Sequence, residues 1–319
     1  MILILSQHRE FSTDAVMDWI HYEGGASIRL NAIDLYKNSE TFELLLDKNK
    51  YELTSQKINY KEVESVWFRR WYEVDELFGQ LNKDNYSETN QQLTDAIKSE
   101  IRVISNFFFY LLKDKTWLTK PEQISINKIL SLTIAHEVGL DIPTSCITSN
   151  LSKLDKKQNY ITKPLSDGVL FKVEGIHWSN YTTEIESEHF TSDNNYPISL
   201  YQENLDKEFE IRAFYLYGEF FSMAIFSQNN TQTKTDFRVY DDLEPNRTVP
   251  YQLDREIEIK LKNFMNAVKL DTGSIDLVQT KDGRLVFLEV NPVGQFGMVS
   301  YPCNYFIEKK IAKILLKKQ

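Results

Sequence analysis

Two carboxylates and an asparagine near the carboxy-terminal end carry the strongest chemical signal in this chain. The segment Ser274 to Asn291 reads SIDLVQTKDGRLVFLEVN. Asp-Gly is the preferred two-residue loop of a tight β-hairpin. With Asp282 and Gly283 as that loop, Lys281 faces Arg284 and Asp276 lies opposite Glu289. Two like charges directly across a sheet destabilise it unless a cation lies between them. Asn291 is two residues past Glu289, so its side chain points to the same face. An all-oxygen set of this kind suits magnesium, with the remaining coordination left to water and phosphate. The plain alternative is a pair of solvated carboxylates on an exposed strand. Leu285 and Phe287, placed on the face of Glu289, argue instead for a half-buried strand, and buried carboxylates need partners.

Cations able to meet phosphate lie upstream. Lys163 ends a strand candidate, Tyr160 to Lys163, just before Pro164 and a turn at Ser166-Asp167-Gly168. A lysine there is a compact charge with three donors, although most lysines are simply exposed. Arg212 lies on a strand from Phe209 to Tyr217 and points with Glu210 and Phe214. Arg238 follows Asp236 in TDFRVYD. Both arginines, with Asp236 beside the second, are candidates to offset charge on a transferring phosphoryl group. Ordinary ion pairs, Arg212 with Glu210 and Arg238 with Asp236, are the competing reading. Arg69 and Arg70 sit between tryptophans in VWFRRWY. They suit a substrate carboxylate or a peptide, or they snorkel at the edge of a core. The five histidines show no metal spacing, so neither a zinc site nor a histidine triad is expected.

The elements that must position these groups read as an α/β protein. Met1 to Ser6 is a short apolar strand. A helix follows, capped by Ser12 and ended by Gly24-Gly25. VESVWFRRW, residues 63 to 71, is a second strand. Strand, helix, strand suggests a parallel α/β layer. Apolar residues at three- and four-residue steps make a long helix of residues 95 to 112, and a second helix starts near Ser125. Strands then alternate with turns up to Ser227, a helix spans Arg255 to Val268, and a final helix carries Asn304 to Leu316. The net charge of −9 argues against sequence-independent nucleic-acid binding, which rests on many lysines and arginines. Two cysteines, Cys146 and Cys303, do not make a disulfide scaffold. Met1 to Leu5 is too short for a signal-peptide core or a membrane span. A cytoplasmic protein that does not act at membranes is expected.

Taken together, these motifs resemble the ATP-grasp ligases. SIDLVQTKDGRLVFLEVNP is similar to their carboxy-terminal metal motif. NKILSLTIAHEVGLDIPTS is similar to the entry of their second subdomain, which makes Lys128 the first phosphate lysine. YITKP resembles the strand bearing the second, Lys163. YQENLDKEFEIRAFYL resembles the adenine hinge, which assigns Gln202, Glu203 and Leu205 to the base and Glu208 to the ribose, with Asp206 and Glu210 as alternatives. The closer resemblance is to the peptide maturases of graspetide (microviridin-type) biosynthesis, above all those of grasp-with-spasm systems. MILILS, VWFRRWY, KTDFRVYD and NPVGQFGMVSYPCNYFIEKKIA carry it. One departure is KPLSDGVLFK, which has a single glycine where many ATP-grasp enzymes have a glycine-rich loop.

That resemblance implies an ATP-grasp fold with three parts. A pre-ATP-grasp α/β domain would span 1–115, a central subdomain with the lid and phosphate lysines 116–195, and a subdomain with the adenine hinge and metal site 196–319. It implies ATP and magnesium as cofactors, a precursor peptide with a leader segment as partner, and a homodimer, because related maturases associate. The implied reaction activates an Asp or Glu side chain as an acyl-phosphate, which a Ser, Thr or Lys side chain of the same peptide captures. Two other readings stay open: a ligase adding free amino acids to a peptide or protein, and an ATP-binding regulator without turnover.

Overall fold

The computed structural model describes residues 1–32, 34, 43–48, 51–71, 88–155, 157–165, 170–173, 176–179, 182–185, 197–228 and 245–317. The chain forms two compact units, Met1–Ile124 with Phe306–Gln319, and Ser125–Tyr305.

The first unit runs β1 (Ile2–Ser6), α1 (Phe11–Tyr22), β2 (Ser27–Asn31), β3 (Glu43–Leu46), β4 (Tyr51–Thr54), β5 (Ser65–Phe68), α2 (Glu88–Leu111) and β6 (Thr116–Leu118). Four of its strands make a parallel sheet in the order β2-β1-β5-β6. Every residue of β1 is buried, as expected for a parallel strand covered on both faces. One face meets α2, where Leu3, Leu5, Val66 and Phe68 share a core with Phe108 and Leu112. The stretch of 63 to 71 is strand only over β5. The cap of α1 is Glu10, whose carboxylate accepts from the Ser12 backbone N–H at 3.3 Å, not Ser12 itself.

The second unit begins with α3 (Lys128–Glu137), capped by Asn127. It continues through β7 (Ser145–Thr148), β8 (Tyr160–Lys163), β9 (Leu170–Val173), β10 (Ile176–Ser179), β11 (Thr183–Glu184), β12 (Ser199–Glu203), β13 (Lys207–Leu216), β14 (Glu219–Phe226), β15 (Arg247–Tyr251), α4 (Arg255–Ala267), β16 (Thr272–Thr280), β17 (Leu285–Asn291) and α5 (Gly297–Cys303). One sheet has the order β11-β8-β12-β7 and another the order β15-β14-β13-β16-β17. The five-stranded sheet is antiparallel. One face packs on α3 and α4 through Ile211, Ile275, Leu277 and Phe287, with the Phe264 and Phe287 rings 4.8 Å apart. The other face carries the polar residues described below.

The final helix expected from Asn304 to Leu316 begins at Ile307, and a separate short helix precedes it. Asn304 and Phe306 both take left-handed backbone, φ 53° and 52°, which ends α5 and starts α6 (Ile307–Leu315). That last helix belongs to the first unit, where it packs against α1 and β5. Its Lys309 ammonium lies 4.8 Å from the Trp19 ring centre. Among the described residues no helix is long and apolar enough to cross a membrane. Both cysteines are free thiols.

Candidate active site

The Asp276 and Glu289 pair forms as the hairpin count predicts, but by a different route. The loop has three residues, Lys281 to Gly283, because the Thr280 N–H donates to the Arg284 carbonyl at 2.9 Å and Gly283 takes φ +90°. A left-handed glycine closing a three-residue loop is a common hairpin solution. Beside this loop Val278 pairs with Val286 and Leu277 with Phe287, one residue out of the expected register. A bulge between Asp276 and Leu277 on the ladder then restores Asp276 opposite Glu289 and Ser274 opposite Asn291. The extra residue, Leu288, also reverses side-chain parity. Phe287 and Leu285 therefore face the α3/α4 core, not the side of Glu289 as the sequence reading has it.

Asp276 lies beside Arg212 on the neighbouring strand. Arg212 Nε and Nη2 donate to the two Asp276 oxygens, each at 2.7 Å. Both residues are buried, 6% and 8% exposed, so this is a fully formed two-pronged ion pair. The partner of Arg212 thus comes from another strand, 64 residues away. Glu210, the partner weighed from the sequence, is engaged by Lys207 Nζ at 2.8 Å and by the Ser227 hydroxyl. Lys207 reaches that face because Glu208 is an extra residue in β13, where the pairing steps from Lys207 directly to Phe209. Glu208 itself is exposed.

Lys128, first residue of α3, brings its ammonium to 3.8 Å from Glu289 Oε2. Asn291 stands at the end of β17, opposite Ser274, whose buried hydroxyl has no hydrogen-bond partner. The NPVGQFG segment crosses close to this point. Gly294 has φ +60°, and a Cβ there would lie 2.8 Å from Ser274 Oγ and 3.0 Å from the Phe214 ring, so only glycine fits. Met298 Sδ then lies 3.1 Å from Arg212 Nη1.

A cleft of about 810 Å³, partly open to solvent, lies within the second unit. Lys163, Gln202, Glu203 and Leu205 line it, as do Arg212, Asp276 and Glu289. Of the three acids weighed for the ribose, Glu210 lines the cleft and Glu208 and Asp206 do not. Gln202 is 1% exposed and donates to Ser145 Oγ at 2.9 Å. Glu203 is braced by the Thr144 N–H at 3.2 Å and by Arg284 Nη1 at 2.8 Å. Arg284 also grips Asp141 at 2.9 and 3.2 Å, and these two carboxylates push its pKa above the ordinary guanidinium value. Sequence reading passed over Arg284, Asp141 and Lys207. Arg284 directly follows the recognised Asp-Gly turn, but its partners are up to 143 residues away and left no local signal.

In the first unit Arg69 is 2% exposed. Its Nε and Nη2 donate to Ser12 Oγ at 3.2 and 3.0 Å. Glu10 lies 3.9 Å from Arg69 and 3.2 Å from Arg70. Both arginines follow β5 at the carboxyl end of the parallel sheet, beside the start of α1. Asp236, Arg238 and the turn Ser166 to Gly168 lie outside the described residues.

Five strands bearing an Arg–Asp–Glu floor, a second sheet bearing a lysine, and a preceding parallel α/β unit define the ATP-grasp architecture, and comparison with known proteins agrees. Residues 1–125 match the family model described as "MvdD pre-ATP grasp domain", which ends where the first unit breaks. Among curated proteins no relative matches. A RiPP-associated ATP-grasp ligase of Chryseobacterium gregarium, solved with ADP and a leader and core peptide, is 24% identical with a TM-score of 0.83, covering 100% of this chain and 97% of that one. The macrocyclase MdnC of Microcystis aeruginosa, solved with precursor peptide MdnA, is 24% identical with a TM-score of 0.78 and 99% coverage of both chains. The ATP-grasp ligase PsnB, solved with a precursor variant, Mg and ADP, is 14% identical with a TM-score of 0.74, covering 99% and 97%. The chain has the fold of these ligases over its whole length.

Proposed function

We propose that this protein is an ATP-dependent carboxylate ligase that closes ω-ester or ω-amide rings between side chains of one ribosomally made peptide, a graspetide maturase. The observation that carries the reading is the Asp276 and Glu289 pair, held face to face on the cleft floor with Arg212 and Lys128 against it. The peptide and nucleotide complexes of the structures similar to this chain support it. In this reading the three subdomains are 1–115, 116–195 and 196–319, with α6 returning to the first.

The donor set fits magnesium. It is all oxygen, two carboxylates and the Asn291 amide. The described residues contain no cluster of three or more His, Cys, Asp or Glu that would hold a metal elsewhere. The chemistry a magnesium ion supplies there is neutralisation of phosphate charge. Arg212 fixes both oxygens of Asp276, so the carboxylate is oriented before nucleotide arrives. Lys163 and Lys128 add positive charge where non-transferred phosphate oxygens would lie. Gln202, Glu203 and Leu205 hold the base, with Arg284 keeping Glu203 in place.

A substrate carboxylate oxygen attacks the γ-phosphorus, the bond to the β-phosphate oxygen breaks, and ADP departs. A hydroxyl or amine of the same peptide then attacks the acyl carbon, loses its proton and expels phosphate. Each ring therefore lowers the peptide mass by one water. An acceptor in the same peptide is present at high effective concentration, which favours its capture over hydrolysis. Arg238 and Asp236 assist phosphoryl transfer, Arg70 holds the peptide with the buried Arg69 bracing the strand end against Ser12 and Glu10, and the enzyme works as a homodimer.

The test is to mix enzyme, ATP, magnesium and a candidate precursor, then weigh the peptide and measure ADP. Water losses with matching ADP are expected. A gain equal to one amino acid would replace this reading with the free-amino-acid ligase, and nucleotide binding without any ADP would replace it with the regulator.

A further inference from the structure

A second cavity lies wholly within the first unit, away from every residue assigned above. It measures about 900 Å³ of space open to solvent and is bounded by the end of α2 and the segment that follows β6. Its walls are aromatic: Phe109, Tyr110 and Trp117. The Trp117 indole N–H donates to the Leu112 carbonyl at 2.9 Å, so the polar edge of that ring is satisfied within the fold. Phe109 meets Trp117 edge to face at 6.4 Å. Two lysines stand on the rim, Lys113 and Lys120, against one acid, Glu122. The Lys113 ammonium rests 3.9 Å from the Tyr110 ring centre, a cation held at the lip by an aromatic face.

The backbone that aims Lys120 is strained. Thr119 takes φ +57°, a left-handed conformation that a β-branched residue rarely adopts. Such strain persists where the surrounding structure holds it, and it gathers at ligand sites. Pro121 follows at once, and the Lys120 N–H donates to Gln123 Oε1 at 2.7 Å, which stiffens the rim. The rim is therefore positive on a chain whose net charge is −9, and its floor is apolar.

We infer that this cavity is a binding site for an acidic peptide segment that also carries aromatic or aliphatic side chains, with Lys113 and Lys120 meeting its carboxylates and the Phe109, Tyr110 and Trp117 walls taking its apolar groups. Two lysines are too few for nucleic acid, whose affinity scales with the number of phosphates neutralised. Paired with apolar walls they suit a peptide that carries both acidic and apolar side chains. Under the function proposed above, that segment would be part of the peptide substrate. The site itself rests on the cavity alone.

The experiment measures anisotropy of a fluorescein-labelled synthetic peptide built from Glu and Phe, with Gln/Phe and Lys/Phe peptides as controls. The wild-type chain is expected to bind the first, to lose it as salt rises, and to bind the controls at least about tenfold more weakly. Lys113→Glu with Lys120→Glu is expected to weaken the Glu/Phe peptide about tenfold or more. Tyr110→Ser, at a position 51% exposed and so safe for folding, is expected to weaken it without removing its salt dependence. Unchanged affinity in the charge-reversed chain, or equal binding of the Gln/Phe peptide, overturns the inference. So does a wild-type dimer that falls apart on charge reversal, which would make the cavity a contact between copies. ADP release by the same variants keeps the two readings apart. No ADP from the wild type removes the ligase and leaves the site, whereas ADP with unaltered peptide affinity removes the site and leaves the ligase.

Discussion

The two carboxylates of the candidate metal pair, alike in chemistry, are expected to differ sharply in what they do for stability. Asp276 is 8% exposed and receives two charge-assisted hydrogen bonds of 2.7 Å from a guanidinium that is itself 6% exposed. Breaking a buried pair from one side leaves an uncompensated charge and costs ~3–5 kcal/mol. Asp276→Asn keeps one acceptor oxygen, so the lower end applies, about 3 kcal/mol. For a unit of this size one kcal/mol moves Tm by about 2–4 °C, which makes a fall of roughly 6–12 °C. Glu289 is partly exposed and 3.8 Å from Lys128. Glu289→Gln should cost no more than about 1 kcal/mol, hence at most a few degrees. Yet both variants lose a candidate metal ligand. Since disturbing even the groups behind a ligand costs ~10–100-fold, ADP formation should fall at least about 100-fold in each. The assay is calorimetric melting without nucleotide beside ADP release with magnesium and peptide. An Asp276→Asn chain that melts with the wild type would refute the buried-pair argument. A Glu289→Gln chain that turns over normally would refute the metal assignment.

Removing divalent metal with EDTA should take ADP release to background and magnesium should restore it, read by a coupled ADP assay. Arg284→Ala should raise KM for ATP several-fold with kcat unchanged, because Glu203 loses its brace at 2.8 Å; steady-state kinetics at saturating peptide decide it. Arg69→Ala removes buried bonds to Ser12 and should cost ~2–3 kcal/mol, whereas Arg70→Ala should cost less and instead raise KM for peptide; melting and kinetics together separate the two. Gly294→Ala forces a Cβ to 2.8 Å from Ser274 Oγ in a left-handed backbone and should lower stability by ~1–3 kcal/mol, measured by urea unfolding.

Much of this protein is legible in the chain itself. Alternation and turn residues announce β16, β17 and their hairpin. An apolar start, a capped helix and a second apolar run announce the parallel layer of β1, α1 and β5. Local rules suffice there, because side-chain period and turn chemistry act over a few residues. The opposition of Asp276 and Glu289 was also legible, although the count that reached it assumed one residue too few in the loop and missed the bulge at Leu288 that compensates. Register depends on both, and neither an extra loop residue nor a bulge changes the apolar pattern on both sides of it enough to be read.

What only the tertiary structure decided are the partners. Arg212 could as well have met Glu210 on its own strand; β13 beside β16 gives it Asp276 instead. Arg284 reaches Asp141 and Glu203 only because the β16/β17 hairpin ends beside them. The last helix shows an amphipathic pattern that would suit any core, and it covers the first unit although the residues before it belong to the second. Sequence spacing specifies which face a side chain takes only along an unbulged strand, where each residue's own backbone sets it. Which distant group waits on that face follows from strand order and packing, and those are properties of the whole chain.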